Sequence, residues 1–200
     1  MSDRLEQVFE HKRKSSAEFR AVQRKNGLIL TPDDMTADPN TREGAIELHK
    51  GIHWFNLELW EFMCASTDER PEELADVLHF LVELTILAGL DHTVVPEWED
   101  CDRLDVMLQA SLQDPWVLPD ADANARFSIV AGLRLANLLK NKPWKQTLKE
   151  IDRKELTVCV AAMFFWYGAT VRTSGLSAED LFQQFVRKED INHTRVTTGV

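Results

Sequence analysis

The stretch that decides the fold is Leu57-Glu58-Leu-Trp-Glu61-Phe-Met63, followed after a turn by Glu73-Leu-Ala-Asp76-Val-Leu78. In each segment two acidic residues are spaced i, i+3, so an α-helix would carry both carboxylates on one face. Nearly all of the other residues are apolar, which predicts two helices that lie in a hydrophobic core. Carboxylates that converge in such a place repel one another and take up protons unless cations neutralise them.

Hard divalent cations with oxygen ligands are the natural partners of such a cluster. We therefore predict that Mg²⁺, or Mn²⁺ in its place, is held by four carboxylates, those of Glu58, Glu61, Glu73 and Asp76. The alternative is a solvated helix face with i, i+4 ion pairs. It is disfavoured because no Lys or Arg lies within one turn of Glu58, Glu61 or Asp76 on the same helix, although Arg70 precedes Glu73. A metal site of this kind indicates phosphate chemistry.

A di-iron bundle is a second reading of the same residues. Asp76-x-x-His79 has the acid-x-x-His spacing of ferritin-like sites, but that fold needs a second such pair on another helix. The position equivalent to His79 in the second half of the chain is Ala161, so the di-iron reading is the weaker one.

Composition limits the classes of protein that the chain can represent. A length of 200 residues suits a single domain, which we take to span 1–200. The net charge of −10 argues against nucleic acid as a partner. The N-terminus lacks the pattern of a secretion signal. No apolar run reaches the length of a membrane span, because the longest, around 156–169, is interrupted by polar residues, so no membrane partner is expected. The three cysteines form no C-x-x-C pair, which indicates free, buried thiols in the cytoplasm.

The pattern along the chain predicts an all-α protein, a helical bundle without strands. The expected helices span 6–25, 44–65, 71–88, 100–112, 123–139 and 149–172, with a last one that begins at the capping box Ser177-Ala-Glu-Asp180. The stretch 31–41 reads as a loop that could act as a lid. The stretch 185–195 reads as a charged segment after the last helix.

A weak internal repeat accompanies these helices. Residues 57–61 resemble 133–137, residues 73–76 resemble 155–158, and residues 88–91 resemble 174–177. If the repeat reflects a duplication, the second half has lost three of the four carboxylates and serves as a packing partner; chance similarity between leucine-rich helices is the alternative.

Three further residues are candidates for contact with a substrate. His79 lies one turn after Asp76 and is either at the edge of the site or a hydrogen-bonded core histidine. Glu83 shares the same stripe and would contact a sugar or a metal-bound water, or stay at the edge. Trp54, one turn before Glu58, is the best candidate to line a base pocket. The chain has no P-loop, Rossmann fingerprint or nucleophile elbow.

Taken together, these motifs resemble those of a known family. The chain resembles the dimeric all-α dUTP pyrophosphatases, which belong to the MazG-type all-α nucleotide pyrophosphohydrolases. The motifs that carry the resemblance are E-x-x-E, then E-x-x-D followed directly by Val77-Leu-His-Phe80, and near the C-terminus K-x-x-x-N-x-x-R. Lys142-Pro-Trp-Lys145 also looks like the bacterial and phage branch of that group. The chain departs from the family in its last residues and in the position of the Lys-Pro-Trp segment, which leaves the base-reading residues unassigned.

The resemblance implies a function and a role for each residue. Mg²⁺ held by the four carboxylates would grip a triphosphate, with Glu61 and Glu58 catalytic and Glu61 orienting the water. Lys188, Asn192 and Arg195 would bind the phosphates from a closing segment that has no partner until substrate binds. The expected reaction converts dUTP to dUMP and pyrophosphate in a cytoplasmic homodimer. The same reaction on dCTP or another deoxynucleotide, and a non-catalytic helical interaction module, remain as alternatives.

Overall fold

The computed structural model of the chain describes residues 3–25, 36–98, 101–110, 114–139 and 149–198. Across these ranges it contains seven α-helices, one short 3₁₀ turn at His92–Val94 and no strand, so the prediction of an all-α bundle is confirmed. The helices are α1 Arg4–Lys25, α2 Arg42–Cys64, α3 Arg70–Leu87, α4 Arg103–Ala110, α5 Ala121–Leu138, α6 Arg153–Thr173 and α7 Ala178–Thr198. Residues 31–35 of the predicted lid and the whole Lys-Pro-Trp segment lie outside the described residues.

Four helices form the centre of the molecule. The two acidic segments lie on α2 and α3, which pack against each other; α2 also packs on α5, and α5 on α6. One continuous hydrophobic core joins them, and α1 and α7 cover the outer side of α3. The hydroxyl of Tyr167 on α6 donates a hydrogen bond to the carbonyl oxygen of Leu74 at 2.7 Å. This bond ties the first two turns of α3, where Glu73 and Asp76 lie, to the core.

The helices α3 and α6 end in the same way, at the glycines of the third pair of similar segments. Gly89 after α3 and Gly175 after α6 have φ angles of 69° and 84°, values that glycine adopts without strain. In each case the next N–H donates to the carbonyl of the residue five positions earlier, Leu90 to Thr85 and Leu176 to Val171. Both helices therefore end in a Schellman motif at matched positions of the two halves.

The start of α7 agrees with the sequence, but its extent does not. The N–H of Asp180 donates to Ser177 Oγ, and the N–H of Ser177 donates to Asp180 Oδ2, which is a reciprocal capping box. The helix then continues to Thr198. The interpretation of 185–195 as a segment after the last helix is wrong, because these residues belong to α7.

Two predictions from composition are also corrected. By length and mean hydropathy α6 is apolar enough to cross a membrane, although the sequence was judged to lack such a run; 56% of its apolar window is buried, as in the core helix of a soluble protein. The three cysteines are free, but only Cys159 is buried, whereas Cys64 and Cys101 are exposed.

Candidate functional site

Three of the four predicted metal ligands meet between α2 and α3. One carboxylate oxygen each from Glu58, Glu73 and Asp76 lies within 4.8 Å of the other two. All three side chains are partly buried, and we call this set the acidic triad. Its position follows from the i, i+3 spacing on α3 and from the packing of α2 against that helix.

The charges of the triad are not balanced by the protein alone. Burial, with the charges of Asp76, Glu61 and Glu73, raises the pKa of Glu58 from 4.5 to about 7, although Lys188 opposes the shift. Burial and the charges of Asp76 and Glu61 likewise raise the pKa of Glu73. A bound divalent cation would reverse both effects, since it stabilises the ionised form of each carboxylate.

The fourth predicted ligand lies at the edge of this set. Glu61 is exposed and does not belong to the triad among the described residues. Its charge nevertheless contributes to the raised pKa values of Glu58 and Glu73. Glu61 is thus close enough to act on the cluster electrostatically and remains accessible to water.

Lys188 of α7 contacts the triad directly. Its Nζ lies 2.8 Å from Asp76 Oδ2 and 2.6 Å from Glu72 Oε1. Burial alone would lower the pKa of Lys188, but the hydrogen bonds to these two carboxylates raise it. The expectation that Lys188 has no partner until substrate binds is therefore wrong.

A cavity of about 280 Å³ opens beside Asp76, between α1, α3 and α7. Its walls include four of the predicted substrate-binding residues, namely His79, Glu83, Asn192 and Arg195. We call it the α1–α3–α7 cavity. Asn192 and Arg195 come from α7, so the last helix brings them to the same side of the triad as Lys188.

A second cavity of about 410 Å³ lies beside Glu58, between α1, α2 and α3. Trp54 lines this α1–α2–α3 cavity and stacks on Phe80, with ring centroids 6.1 Å apart. Phe19, Phe80 and Glu83 line both cavities, which therefore share a wall. Each cavity thus includes one residue of the triad in its wall, Asp76 in the first and Glu58 in the second.

His79 and Glu83 both have charged partners. The Nδ1 atom of His79 lies 2.7 Å from Glu189 Oε1, and Phe185 stacks on the imidazole at a centroid distance of 4.1 Å. Burial lowers the pKa of His79 although Glu189 acts in the opposite direction. Glu83 pairs with Lys12 at 3.2 Å and with Arg20 at 3.6 Å.

The contribution of α1 to the site was not predicted from the sequence. Six residues of this helix line the two cavities: Lys12, Ser15, Ser16, Glu18, Phe19 and Arg20. The signal was present, because Leu5, Val8 and Phe9 begin a buried stripe that Lys12, Ser16 and Arg20 continue at helical spacing. A face that changes from apolar to polar along one buried stripe indicates a helix that leaves the core and enters a site.

This arrangement fits a divalent metal that binds a phosphate. The triad offers three hard oxygen ligands at close range, as Mg²⁺ and Mn²⁺ prefer. Lys188 and Arg195 are cations on the adjoining helix, and aromatic side chains line both cavities.

Comparisons with protein-family models, with curated proteins and with solved structures found no match to the chain. The resemblance to the dimeric dUTP pyrophosphatases therefore remains an expectation from the motifs.

Proposed function

We propose that the protein is a Mg²⁺-dependent pyrophosphohydrolase of deoxynucleoside triphosphates, with dUTP as the preferred substrate and Mn²⁺ able to replace Mg²⁺. The observation that carries the proposal is the acidic triad, whose oxygens lie within 4.8 Å of one another beside two cavities. Such a cluster suits polyphosphate binding because the ions it holds can bridge its negative charge and that of the phosphates.

The roles that the resemblance implies for these residues are supported by their positions. Glu58, Glu73 and Asp76 would hold the metal, which when bound polarises phosphoryl oxygens and lowers the pKa of water. Glu61, exposed and outside the triad, would orient the attacking water as a free carboxylate. Lys188, Asn192 and Arg195 would bind the phosphates from α7, as point charges and an amide.

The preference for dUTP and the homodimer rest on the resemblance of the motifs. The cavities support a nucleoside in general, because Phe19 and Phe80 line both of them and Trp54 lines one. The same reaction on dCTP or another deoxynucleotide would use the same phosphate site. We also propose a cytoplasmic location, because the three cysteines are free thiols, which suits a reducing compartment.

The test is a pyrophosphate-release panel across dUTP, dCTP, dTTP, dATP, dGTP and the ribonucleotides. We expect release from dUTP in Mg²⁺, none in excess EDTA, and recovery when Mg²⁺ or Mn²⁺ is restored. Glu61→Gln should lower turnover by ~10²-fold without altering helicity, as expected for a lost transition-state contact.

Two results would contradict the proposal in different ways. Full activity in EDTA would exclude the metal role of the triad. No pyrophosphate release from any nucleotide, together with no stabilisation by Mg²⁺ in thermal unfolding, would favour the non-catalytic interaction module.

A further inference from the structure

Two buried polar groups line the α1–α3–α7 cavity without a hydrogen-bond partner among the described residues. They are the hydroxyl of Ser16 and the imidazole of His79: neither Ser16 Oγ nor either ring nitrogen has a partner in hydrogen-bond geometry, although Nδ1 lies 2.7 Å from Glu189 Oε1. The residues are each only 3% exposed, so bulk water reaches neither side chain freely. Leaving such groups unpaired is costly, and nearly all buried polar atoms in folded proteins have a partner. A ligand in the cavity would supply the missing partners.

The hydrogen-bonding character of His79 can be deduced from its neighbour. Glu189 Oε1 lies 2.7 Å from Nδ1, and an ionised carboxylate can only accept hydrogen bonds. Burial alone would raise the pKa of Glu189, but its contacts with His79 and Lys12 outweigh burial and lower the pKa, which keeps the carboxylate ionised. Because burial lowers the pKa of His79, the ring is neutral at pH 7 and carries its one proton on Nδ1. Nε2 is then an acceptor.

The other residues that line the cavity indicate which kind of ligand fits it. Phe19 and Phe80 line it together with charged side chains such as Lys12 and Glu83, which suits a ring that carries polar groups; Asn192 and Arg195 line it as well, so the phosphates would lie at the end where these two residues are. Asp76 lines the same cavity and belongs to the acidic triad, so the ligand lies directly beside the proposed phosphate site. The volume of about 280 Å³ is near the lower end of small-molecule pockets.

We propose that the nucleoside part of the substrate occupies this cavity and that Ser16 and the His79–Glu189 pair determine its specificity, with His79 Nε2 accepting a hydrogen bond from an N–H or O–H of the nucleoside. This inference rests on the proposed function. Two groups of a deoxyuridine fit the description: the 3′-hydroxyl of the sugar and the N3–H of the base. A nucleoside without the matching donor leaves the histidine acceptor unpaired, and a site of that kind discriminates strongly.

The first test separates recognition from folding. Ser16→Ala removes one unpaired hydroxyl from the middle of α1, so the thermal stability of the free protein should stay equal or rise. The Kd of a non-hydrolysable dUTP analogue in Mg²⁺ should nevertheless increase ~5-fold or more, the size of one lost hydrogen bond.

Ser128→Ala is the matched control. Ser128 is also completely buried in a helix, but its Oγ donates to the carbonyl oxygen of Asn124 and lies outside both cavities. This variant should lose stability and keep the wild-type Kd.

The second test identifies the donor. His79→Phe keeps an aromatic ring against Phe185 and removes both ring nitrogens; Glu189→Gln accompanies it so that no unpaired carboxylate remains. Wild-type protein should bind either 2′,3′-dideoxy-UTP or N3-methyl-dUTP ~10-fold more weakly than dUTP. In the double variant the weaker binding of this analogue relative to dUTP should disappear. A loss with 2′,3′-dideoxy-UTP identifies the 3′-hydroxyl of the sugar as the donor, and a loss with N3-methyl-dUTP identifies the N3–H of the base.

The outcomes distinguish this inference from the proposed function. If wild-type protein hydrolyses dUTP but Ser16→Ala and the His79 double variant bind it as tightly as wild type, the inference falls and the proposed function stands. If both analogues match dUTP in the wild type, the inference falls as well. If the wild type neither binds nor hydrolyses any nucleotide, both fall together.

Discussion

Lys188 Nζ lies 2.8 Å from Asp76 Oδ2, so a cation of α7 already occupies one corner of the acidic triad. A second contact, 2.6 Å to Glu72 Oε1, holds the same ammonium group on the outer face of α3. An incoming metal ion and Lys188 must therefore compete for Asp76. The lysine stands in for part of the charge that a metal would supply.

Lys188→Gln should consequently strengthen metal binding in the absence of nucleotide. Removing a competing cation next to Asp76 should lower the Kd of Mg²⁺ by up to ~10-fold, an effect of the size of one charge-assisted contact. The KM for the nucleotide should rise, because the same lysine is lost as a phosphate ligand. Isothermal titration calorimetry with Mg²⁺ alone measures the first effect and steady-state kinetics the second.

Lys154→Gln provides the control for Lys188→Gln, since Lys154 is exposed on α6 and lines neither cavity. It should leave both quantities unchanged. Weaker Mg²⁺ binding by Lys188→Gln would mean that the lysine organises the triad rather than competing for it.

The raised pKa of Glu58 predicts how the stability of the metal-free protein depends on pH. The folded value of about 7 exceeds the ordinary value of 4.5, so between these values the folded protein holds a proton that the unfolded chain has released. The free energy of unfolding should therefore fall as pH rises through this window and change no further above it. Glu58→Gln should remove this part of the slope.

Urea denaturation in EDTA at pH 5 and pH 8 measures the effect of Glu58. The quantity to compare is the stability difference between wild type and Glu58→Gln, because carboxylates elsewhere contribute equally to both proteins. Mg²⁺ at pH 8 should restore the stability of the wild type and have less effect on the variant. If the free energy of unfolding depends on pH in the same way in both proteins, the pKa of Glu58 is not raised in the folded state.

The parts of the site that the sequence predicted are those governed by local spacing. The i, i+3 pairs placed Glu58 on α2, and Glu73 and Asp76 on α3, and the apolar neighbours of these residues predicted that both helices pack in the core. The capping box at Ser177 and the helix end at Gly89 are likewise local signals that the structure confirms.

The parts that the sequence did not predict depend on contacts between distant helices. Glu189 is an ordinary acidic residue in the sequence, and only the packing of α7 on α3 brings it to His79. No sequence motif includes Glu72, yet its carboxylate lies 2.6 Å from Lys188 Nζ. The walls formed by α1 depend on how that helix crosses α3, which its own periodicity does not specify.

Asp76→Asn should lower turnover by ~10²-fold or more, because it removes a ligand of the proposed metal and the partner of Lys188. Glu155→Gln is the matched control: Glu155 occupies the repeat position that corresponds to Glu73, lies exposed on α6 and belongs to no acidic cluster in the described part of the chain. Pyrophosphate release with saturating Mg²⁺ compares the two. Equal losses would show that the second half of the repeat retains a catalytic role.

An exposed apolar face on α5 and α6 allows the proposed homodimer to be tested. Four side chains of this face are between 40% and 59% exposed, namely Phe127, Val130, Leu133 and Val158. Contiguous apolar surface is typical of protein interfaces, and a two-fold dimer buries the same patch of both subunits. Val158→Asp should therefore convert the dimer into a 23.0 kDa monomer in analytical ultracentrifugation. Val22→Asp on α1, where the valine is 44% exposed, should leave the dimer intact; a dimer that survives Val158→Asp would exclude this face as the interface.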